Sequence, residues 1–380
     1  MLFKLMWRII ILCTLIDLIS CQNKPDTNIQ DINSKNDSVI NLKYAKHFEI
    51  FKLDSGYKIN VINPWQFTNN EKFSYIFSKI FSTNNHKIKL PIKRIVCLST
   101  SHIGFLSKLN LQNKIVGVSG IRFINDSITN MLIKENKIVD VGYEQNLNYE
   151  LILSLKPDII IAYNVESKNV AYITKLEELG LKVIFVAEYL EETPLAKAEW
   201  LKFFGIIFNV QQNADSIFKN IDEEYNNLKI IAQTFKERPS VFAGLPWKDS
   251  WYIAGGKSNL ACLFNDAGAK YIWENDTSTQ SSPISLENVI NKVSDADFWL
   301  NSGTANSLND IYLTDSRLST FKAFKSKKIY NNNAKINSFG GIDYWESGIV
   351  NPQIALKDII KIIHPQSFSN YKTYYYKKLE

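Results

Sequence analysis

Cysteine and histidine are scarce in this chain, and with them the patterns that most protein metal sites need. Only four cysteines occur among 380 residues, and no two of them form a C-x-x-C pair. Structural zinc and iron–sulfur sites are built on such pairs, so neither is expected. The four histidines, His47, His86, His102 and His364, lie in separate segments. We therefore predict no metal site made by the protein itself.

Arginine is also rare, because only 5 of the 44 basic residues are arginine and the others are lysine. Nucleic acids are usually recognised by clustered basic surfaces in which arginine side chains are prominent. The lysines of this chain are instead dispersed among asparagine and acidic residues, and the formal net charge is only +6. Nucleic acid is thus not an expected partner.

Signatures of common enzyme classes are missing as well. Gly256-Lys257-Ser258 matches the end of a phosphate-binding P-loop, but the first glycine of that motif falls on Trp251. No G-x-S-x-G sequence occurs, and a hydrolytic triad built on His102 has no identifiable acid. We expect a protein that is not an enzyme.

Long hydrophobic runs are absent beyond the first twenty residues. Residues 1–8 carry two positive charges and residues 9–19 are mostly apolar, a run too short for a spanning helix, which needs about 20 residues. The sequence Leu18-Ile19-Ser20-Cys21 looks like a bacterial lipobox, in which the cysteine is lipidated and becomes the N-terminus. We predict a lipoprotein signal peptide, lipidation of Cys21, and export to the periplasm or cell surface with anchoring to a bacterial membrane.

Removal of this signal changes the cysteine count. Cys13 is lost and Cys21 is acylated, which leaves Cys97 and Cys262 as thiols. A disulfide between them is possible in an oxidising compartment. Because they lie in different predicted lobes, we expect two buried free thiols instead.

The remaining chain alternates between strand and helix patterns. Short apolar runs followed by segments of helical spacing predict parallel sheets flanked by helices. One stretch has apolar residues every three or four positions over more than twenty residues, which predicts a long amphipathic helix. The fold class is therefore α/β, with two Rossmann-like lobes joined by one long α-helix and a small N-terminal β-rich extension. The predicted segments are a signal peptide (1–20), a flexible tether (21–40), the β-rich extension (41–90), an N-terminal α/β lobe (91–208), the linking helix (209–238), a C-terminal α/β lobe (239–366) and a tail (367–380).

Several motifs within this pattern occur together in a known family. They are residues 94–99 (RIVCLS), 114–118 (KIVGV), 141–142 (VG), 148–161 (NYELILSLKPDIII), 176–183 (LEELGLKV) and 285–287 (SLE). With the long central helix, they make the chain resemble the helical-backbone (class III) periplasmic substrate-binding proteins of ABC importers, which capture ferric siderophores and cobalamin. The resemblance covers about residues 93–365. It implies a monomer that binds a small-molecule ligand between its lobes and delivers it to an ABC permease and its ATPase.

Glu150 and Glu287 occupy equivalent places in the two lobes, each in the first turn of a helix. In the family, one glutamate of each lobe forms a salt bridge with arginines of the permease. A carboxylate at the same place on each lobe suits such two-point electrostatic docking. The alternative is that each acid merely favours the positive end of its helix.

Aromatic residues in loops indicate where the ligand binds, because aromatic rings suit large planar or amphipathic molecules. The alternative for each of them is ordinary packing within a lobe. Arg122 lies in a loop near the predicted cleft and suits a carboxylate or an iron-bound oxygen, and the family pattern adds Tyr143 and Glu144 at the cleft rim. The predicted ligand-binding residues are Arg122, Tyr143, Glu144, Trp247, Trp251, Tyr252, Tyr344 and Trp345.

The resemblance leaves the ligand open within one chemical class. We expect an iron(III)-siderophore-type complex, of the hydroxamate kind because a highly charged catecholate needs more than one arginine. Cobalamin or haem is the alternative within the family, and a surface lipoprotein enzyme or adhesin is the alternative outside it. No resident cofactor is expected, since the metal chelate is itself the cargo.

Overall fold

The protein is described by a computed structural model that covers residues 38–80, 87–143, 146–163, 171–248 and 250–380. The predicted signal peptide, the lipidation site Cys21 and most of the tether lie outside these residues, as does Glu144. None of the helices within the described ranges is sufficiently long and apolar to cross a membrane.

The chain begins with a five-stranded sheet, here called the N-terminal sheet. Its strands β1 to β5 lie side by side in chain order, with the first three pairs antiparallel and the β4–β5 pair parallel. Alternating side chains such as Phe48, Ile50, Ile59 and Val61 are buried, as expected for a sheet with one covered face. The strands are β1 (Ser38–Ile40), β2 (Phe48–Leu53), β3 (Gly56–Ile62), β4 (Lys72–Ser78) and β5 (Lys87–Lys89).

The N-terminal lobe is a parallel sheet with helices between its strands. The strand order is β10-β9-β6-β7-β8, and every residue of β6, β7, β9 and β10 is buried, which is typical of a parallel sheet covered on both faces. In chain order its elements are β6 (Ile95–Cys97), α1 (Thr100–Lys108), β7 (Ile115–Val118), α2 (Ser127–Lys134), β8 (Val139–Asp140), α3 (Tyr149–Leu155), β9 (Ile159–Ala162), α4 (Ala171–Glu178) and β10 (Val183–Phe185).

Three helices then lead to the second lobe: α5 (Pro194–Glu199), α6 (Leu201–Ile207) and α7 (Gln211–Gln233). Helix α7 has 23 residues, which corresponds to roughly 35 Å at ~1.5 Å per residue. Its apolar stripe is buried, and its Tyr225 hydroxyl and Lys229 ammonium bind the carboxylate of Asp266 in the C-terminal lobe at 2.9 and 2.7 Å. This is the predicted linking helix.

The C-terminal lobe repeats the α/β plan. Its sheet has the order β13-β11-β15-β16-β17, parallel except for the last pair, and β12 and β14 form a separate antiparallel ribbon. The predicted α/β fold with two Rossmann-like lobes and a linking helix is thus confirmed. Its elements are β11 (Ser240–Ala243), β12 (Ser250–Ala254), α8 (Asn259–Asp266), β13 (Lys270–Tyr271), β14 (Ser281–Ser285), α9 (Leu286–Val293), β15 (Phe298–Leu300), α10 (Leu308–Thr314), α11 (Lys322–Lys325), β16 (Ile329–Asn331), α12 (Pro352–Ile363) and β17 (Lys377–Lys378).

The C-terminal segment 367–380, which we predicted as a separate tail, is part of this lobe. The buried Asp358 carboxylate of α12 accepts hydrogen bonds from the Tyr371 hydroxyl and from the backbone N–H groups of residues 374–376. Tyr375 and Tyr376 are fully buried, and β17 adds to the edge of the sheet. A carboxylate 13 to 18 positions earlier in the chain therefore anchors the segment, and no helical or strand periodicity reveals this contact.

Candidate functional site

Two adjoining cavities lie between the N-terminal and C-terminal lobes. The first has a volume of about 320 Å³ and the second about 460 Å³. They are compartments of one cleft, because five residues line both of them, namely Tyr189, Lys197, Asn259, Tyr344 and Trp345.

The N-terminal wall of the first cavity is built at the carboxyl ends of three neighbouring strands. Ser99 and Ser101 follow β6, Tyr163 follows β9, and Glu188 follows β10. Ligands of open α/β sheets bind at this edge, because the loops that leave the strands converge there. Helix α8, helix α12 and the turn at Asp343–Trp345 provide the facing wall from the C-terminal lobe.

Of the residues that the structure describes, one carboxylate, Glu188, and one ammonium group, Lys197, line the first cavity. Ser101 Oγ donates a hydrogen bond of 2.6 Å to Glu188 Oε1, while Glu188 Oε2 has no partner among the residues that the structure describes. Burial raises the pKa of Glu188, against the opposing effect of the Ser101 hydrogen bond. Burial lowers the pKa of Lys197, although Glu188 and Glu191 act in the opposite direction. Together these two described groups contribute little net charge to the cavity, and both can form hydrogen bonds with a ligand.

Aromatic rings from both lobes line the same cavity. Tyr163 and Tyr189 approach from the N-terminal lobe with ring centroids 6.4 Å apart, and Tyr344 and Trp345 approach from the C-terminal lobe with centroids 4.9 Å apart. Each pair is nearly perpendicular. Trp345 remains 54% exposed. Such rings offer apolar faces with polar edges to a ligand between the lobes.

Of the eight residues predicted to bind ligand, Tyr344 and Trp345 line both cavities. Arg122, Tyr143, Trp247 and Tyr252 line neither of them. The Arg122 guanidinium lies 4.8 Å from the ring of Phe123. The Tyr143 hydroxyl packs directly against Gly120, so closely that a Cβ atom at Gly120 would lie only 2.1 Å from it. Trp247 is 64% exposed beside the β12–β14 ribbon, with the Lys248 ammonium 4.6 Å from its ring.

Trp251 requires a correction, because the structure places it in the core of the C-terminal lobe. It is fully buried, its ring lies 5.6 Å from that of Trp299, and its indole N–H donates a hydrogen bond of 3.0 Å to the carbonyl of Ala243. Successive residues of a strand point to opposite faces. Trp251 and Tyr252 therefore could not both face one ligand, and here Trp251 faces inward while Tyr252 faces solvent.

The sequence interpretation missed several residues of the cleft, including Glu188, Lys197, Tyr163, Tyr189 and Asn259. For Tyr163 and Glu188 a signal was present, since each follows a short apolar run, residues 159–162 and 183–187, of the kind that predicts a buried parallel strand. Lys197 and Asn259 carry no such signal, because they reach the cleft from helices α5 and α8.

Glu150 and Glu287 both lie exposed in the first turns of α3 and α9. The preceding residues Asn148 and Ser285 cap these helices in the same way, by accepting a hydrogen bond from a backbone N–H three residues further on. Glu287 also contacts Arg317 Nη1 at 3.3 Å. Its own backbone N–H and the Arg317 guanidinium hold the pKa of Glu287 below its ordinary value.

His102, Cys97 and Cys262 do not line either cavity. Within the described ranges, no group of three or more His, Cys, Asp or Glu side chains is arranged to hold a metal ion. His102 is fully buried in α1, and burial lowers its pKa to about 3, so it is a neutral core residue. Cys97 and Cys262 are both free thiols; Cys97 is buried and Cys262 partly so.

Comparison with known proteins agrees with this architecture. A family model described as periplasmic binding protein matches residues 95–335, which is more than half of the chain. An uncharacterized lipoprotein of Methanocaldococcus jannaschii is 27% identical over 397 residues, covering 95% of this chain and 90% of that protein. An uncharacterized ABC transporter substrate-binding lipoprotein of Bacillus subtilis is 26% identical over 192 residues, covering 50% of this chain and 58% of that protein.

Solved structures share the fold at low sequence identity. A periplasmic heme binding protein from Pseudomonas aeruginosa superposes with a TM-score of 0.57 at 18% identity, covering 76% of this chain and 98% of that one. The family consists of binding proteins for transport rather than enzymes. The chain therefore belongs to the periplasmic binding protein family, and its resemblance to the helical-backbone class that serves ABC importers is confirmed.

Proposed function

We propose that this protein is a lipid-anchored receptor that captures an iron(III)-siderophore-type complex between its lobes and delivers it to an ABC permease. The observation that carries the proposal is the first cavity of the interlobe cleft, where aromatic rings from both lobes surround the Glu188 carboxylate and the Lys197 ammonium group. The proposal of a lipid anchor is supported by the lipobox-like sequence at Cys21 and by relatives that are named lipoproteins.

The charge of the first cavity favours a chelate of low net charge. Among the residues that the structure describes, Glu188 and Lys197 are the charged side chains that line it, and Arg122 is not part of that lining. Transfer of an ion into a buried site is costly unless opposite charges meet it there. A triply charged catecholate complex therefore fits poorly. A ferric trihydroxamate, with little net charge and with carbonyl oxygens that accept from Lys197 and Asn259, fits better.

Haem is the second candidate, and cobalamin, a considerably larger macrocyclic compound, is the third. Two tyrosines, Tyr163 and Tyr189, approach the first cavity together from the N-terminal lobe. A flat macrocycle suits packing against such rings. The structural neighbour from Pseudomonas aeruginosa is named a heme binding protein.

Fluorescence titration of the mature protein with a ferric trihydroxamate, haem and cobalamin tests this function. The Trp345→Ala variant removes an aromatic wall of both cavities and is expected to weaken binding of the true ligand about tenfold. Trp247→Ala is the matched control, since Trp247 is similarly exposed and lines neither cavity. The proposed ligand class is wrong if none of the three compounds binds, and the proposed site is wrong if both variants bind like the wild type.

A further inference from the structure

The N-terminal sheet reaches the ligand cleft, although it lies outside the part of the chain that matches the family. The second cavity is lined by His47, the residue immediately before β2, and by residues of the loop between β3 and β4. Those loop residues are Asn63, Trp65, Gln66, Phe67 and Thr68. The second cavity therefore has three walls, from the N-terminal sheet, the N-terminal lobe and the C-terminal lobe.

Two buried carboxylates hold the sheet on the N-terminal lobe. The backbone N–H groups of residues 43–45 donate to the Glu199 carboxylate at 2.8, 2.7 and 2.9 Å. Those of residues 46 and 47 donate to Glu191, each with a contact of 3.0 Å. Glu191 also accepts from the indole N–H of Trp200 at 3.0 Å. Five consecutive backbone N–H groups thus find buried acceptors on the N-terminal lobe, which gives this segment a defined position.

Aromatic packing fixes the sheet next to the cleft. The rings of Trp65 and Phe73 lie 5.4 and 4.9 Å from that of Phe185 on β10, which is the edge strand of the N-terminal lobe. The Phe185 backbone N–H donates to the Tyr75 hydroxyl at 3.1 Å. The sheet thus covers an otherwise open sheet edge, as folded proteins commonly require.

The loop between β3 and β4 has features that its own folding does not explain. Phe67 has a φ of 61°, in the left-handed region that bulky residues avoid, and its side chain is 83% exposed. The loop is nonetheless closed by two hydrogen bonds between Asn63 and Glu71: the Asn63 N–H donates to the Glu71 carbonyl at 2.8 Å, and the Glu71 N–H donates to Asn63 Oδ1 at 3.0 Å. The Thr68 hydroxyl also donates to the Trp65 carbonyl at 2.6 Å. Strained residues held in place by their surroundings are concentrated at binding sites.

Trp65 adds an independent observation. Its side chain is 5% exposed and it lines the second cavity, yet its indole N–H has no hydrogen-bond partner among the described parts of the chain. A buried indole N–H ordinarily finds an acceptor. Across the cavity lie polar groups of the C-terminal lobe, including Thr279 and Gln280.

We propose that the N-terminal sheet is a third ligand-binding wall and that its β3–β4 loop selects ligands that extend from the first cavity into the second. Phe67 packs on an apolar arm of the ligand, and the Trp65 indole N–H donates to a carbonyl or hydroxamate oxygen of that arm. This inference rests on the proposed function, in which the ligand occupies the interlobe cleft.

The test compares Phe67→Ala with Ile80→Ala, which also truncates an exposed apolar side chain. Ile80 follows β4 of the N-terminal sheet, is 65% exposed and lines neither cavity. The probes are a ferric trihydroxamate with long connecting arms and the armless ferric complex of three acetohydroxamates. Phe67→Ala should weaken binding of the armed chelate about tenfold and that of the armless chelate less than about twofold, because only the arms reach the second cavity. Ile80→Ala should leave both affinities unchanged.

Trp345→Ala is measured in parallel so that the two proposals fail in different ways. Loss of binding in Trp345→Ala with normal binding of both chelates in Phe67→Ala overturns the third wall and leaves the proposed function intact. Normal binding in both variants, or no binding of either chelate by the wild type, overturns both proposals. Equal weakening for both chelates in Phe67→Ala also contradicts selection by the arms. Thermal melts verify that each variant is folded.

Discussion

At the scale of single residues, Glu346 connects the two lobes. Its carboxylate belongs to the C-terminal lobe and accepts hydrogen bonds from the backbone N–H groups of Asn125 and Asp126 in the N-terminal lobe at 2.7 and 2.8 Å. Burial raises the pKa of Glu346 to about 7, although these two hydrogen bonds favour the ionised form. A group in this position takes up a proton on folding at mildly acidic pH.

Stability should therefore depend on pH through Glu346. Between its ordinary pKa near 4.5 and the folded value of about 7, the folded state holds a proton that the unfolded chain has lost. The contribution of Glu346 to the free energy of unfolding falls as pH rises through this window, by up to about 3 kcal/mol. Urea unfolding of the wild type and of Glu346→Gln at several pH values measures this, and parallel pH profiles of the two proteins would contradict it.

Other single residues show where sequence reasoning reached its limit. Tyr344 and Trp345 were predicted from their loop position and do line the cleft, whereas Trp247, also in a loop, does not. The sequence around each of these two loops allows an exposed aromatic ring, and it does not distinguish the loop that faces the cleft from the other one. Which loop faces the other lobe depends on contacts between Gly341 and Phe123 and between Asn337 and Arg122, far apart in the chain.

At the scale of elements, the N-terminal sheet depends on carboxylates that belong to the N-terminal lobe. Glu199, the last residue of α5, is fully buried, and its partners are the backbone N–H groups of residues 43–45 and the Lys202 ammonium at 2.7 Å. If another side chain replaced the Glu199 carboxylate, the backbone N–H groups of residues 43–45 would lose acceptor oxygens. The sheet and the lobe are thus expected to unfold together.

Glu199→Gln should lower the free energy of unfolding by about 2 to 4 kcal/mol, because an amide cannot accept all these hydrogen bonds and brings its own N–H groups against them. Glu192→Gln serves as the control, since Glu192 forms an exposed ion pair with Lys46, and its change should cost less than about 1 kcal/mol. Chemical denaturation followed by circular dichroism gives both values. Equal stability of the two variants would show that the carboxylate does not anchor the sheet.

At the scale of the whole molecule, Glu150 and Glu287 present one exposed carboxylate on each lobe in equivalent capped helices. We propose that they are the contacts for the permease. Arg317 already contacts Glu287 at 3.3 Å and Asp315 at 2.7 Å. A permease arginine would therefore share the Glu287 carboxylate with Arg317 or displace Arg317 from it. Glu150 has no such contact among the described residues.

Replacement of both glutamates by alanine should abolish ligand uptake by cells that contain the cognate permease, while the Kd for ligand stays unchanged, since neither residue lines the cleft. Uptake of radioactive iron and fluorescence titration measure the two properties separately. Glu223→Ala, an exposed change on the linking helix, is the control and should transport normally. Normal uptake by the double variant would contradict the docking proposal.

The sequence by itself determined the two α/β lobes and the linking helix, because hydrophobic periodicity and capping residues act over a few turns of chain. It also indicated the family, through motifs such as residues 148–161 that resemble those of known members. Only the tertiary structure decided which side chains meet between the lobes. Glu188 and Lys197 come together from separate elements, Trp251 turns into the core, and residues 63–68 join the cleft from the N-terminal sheet. These outcomes depend on how complete elements pack, and that packing is set by contacts between residues more than two hundred positions apart in the chain, such as Asn125 with Glu346.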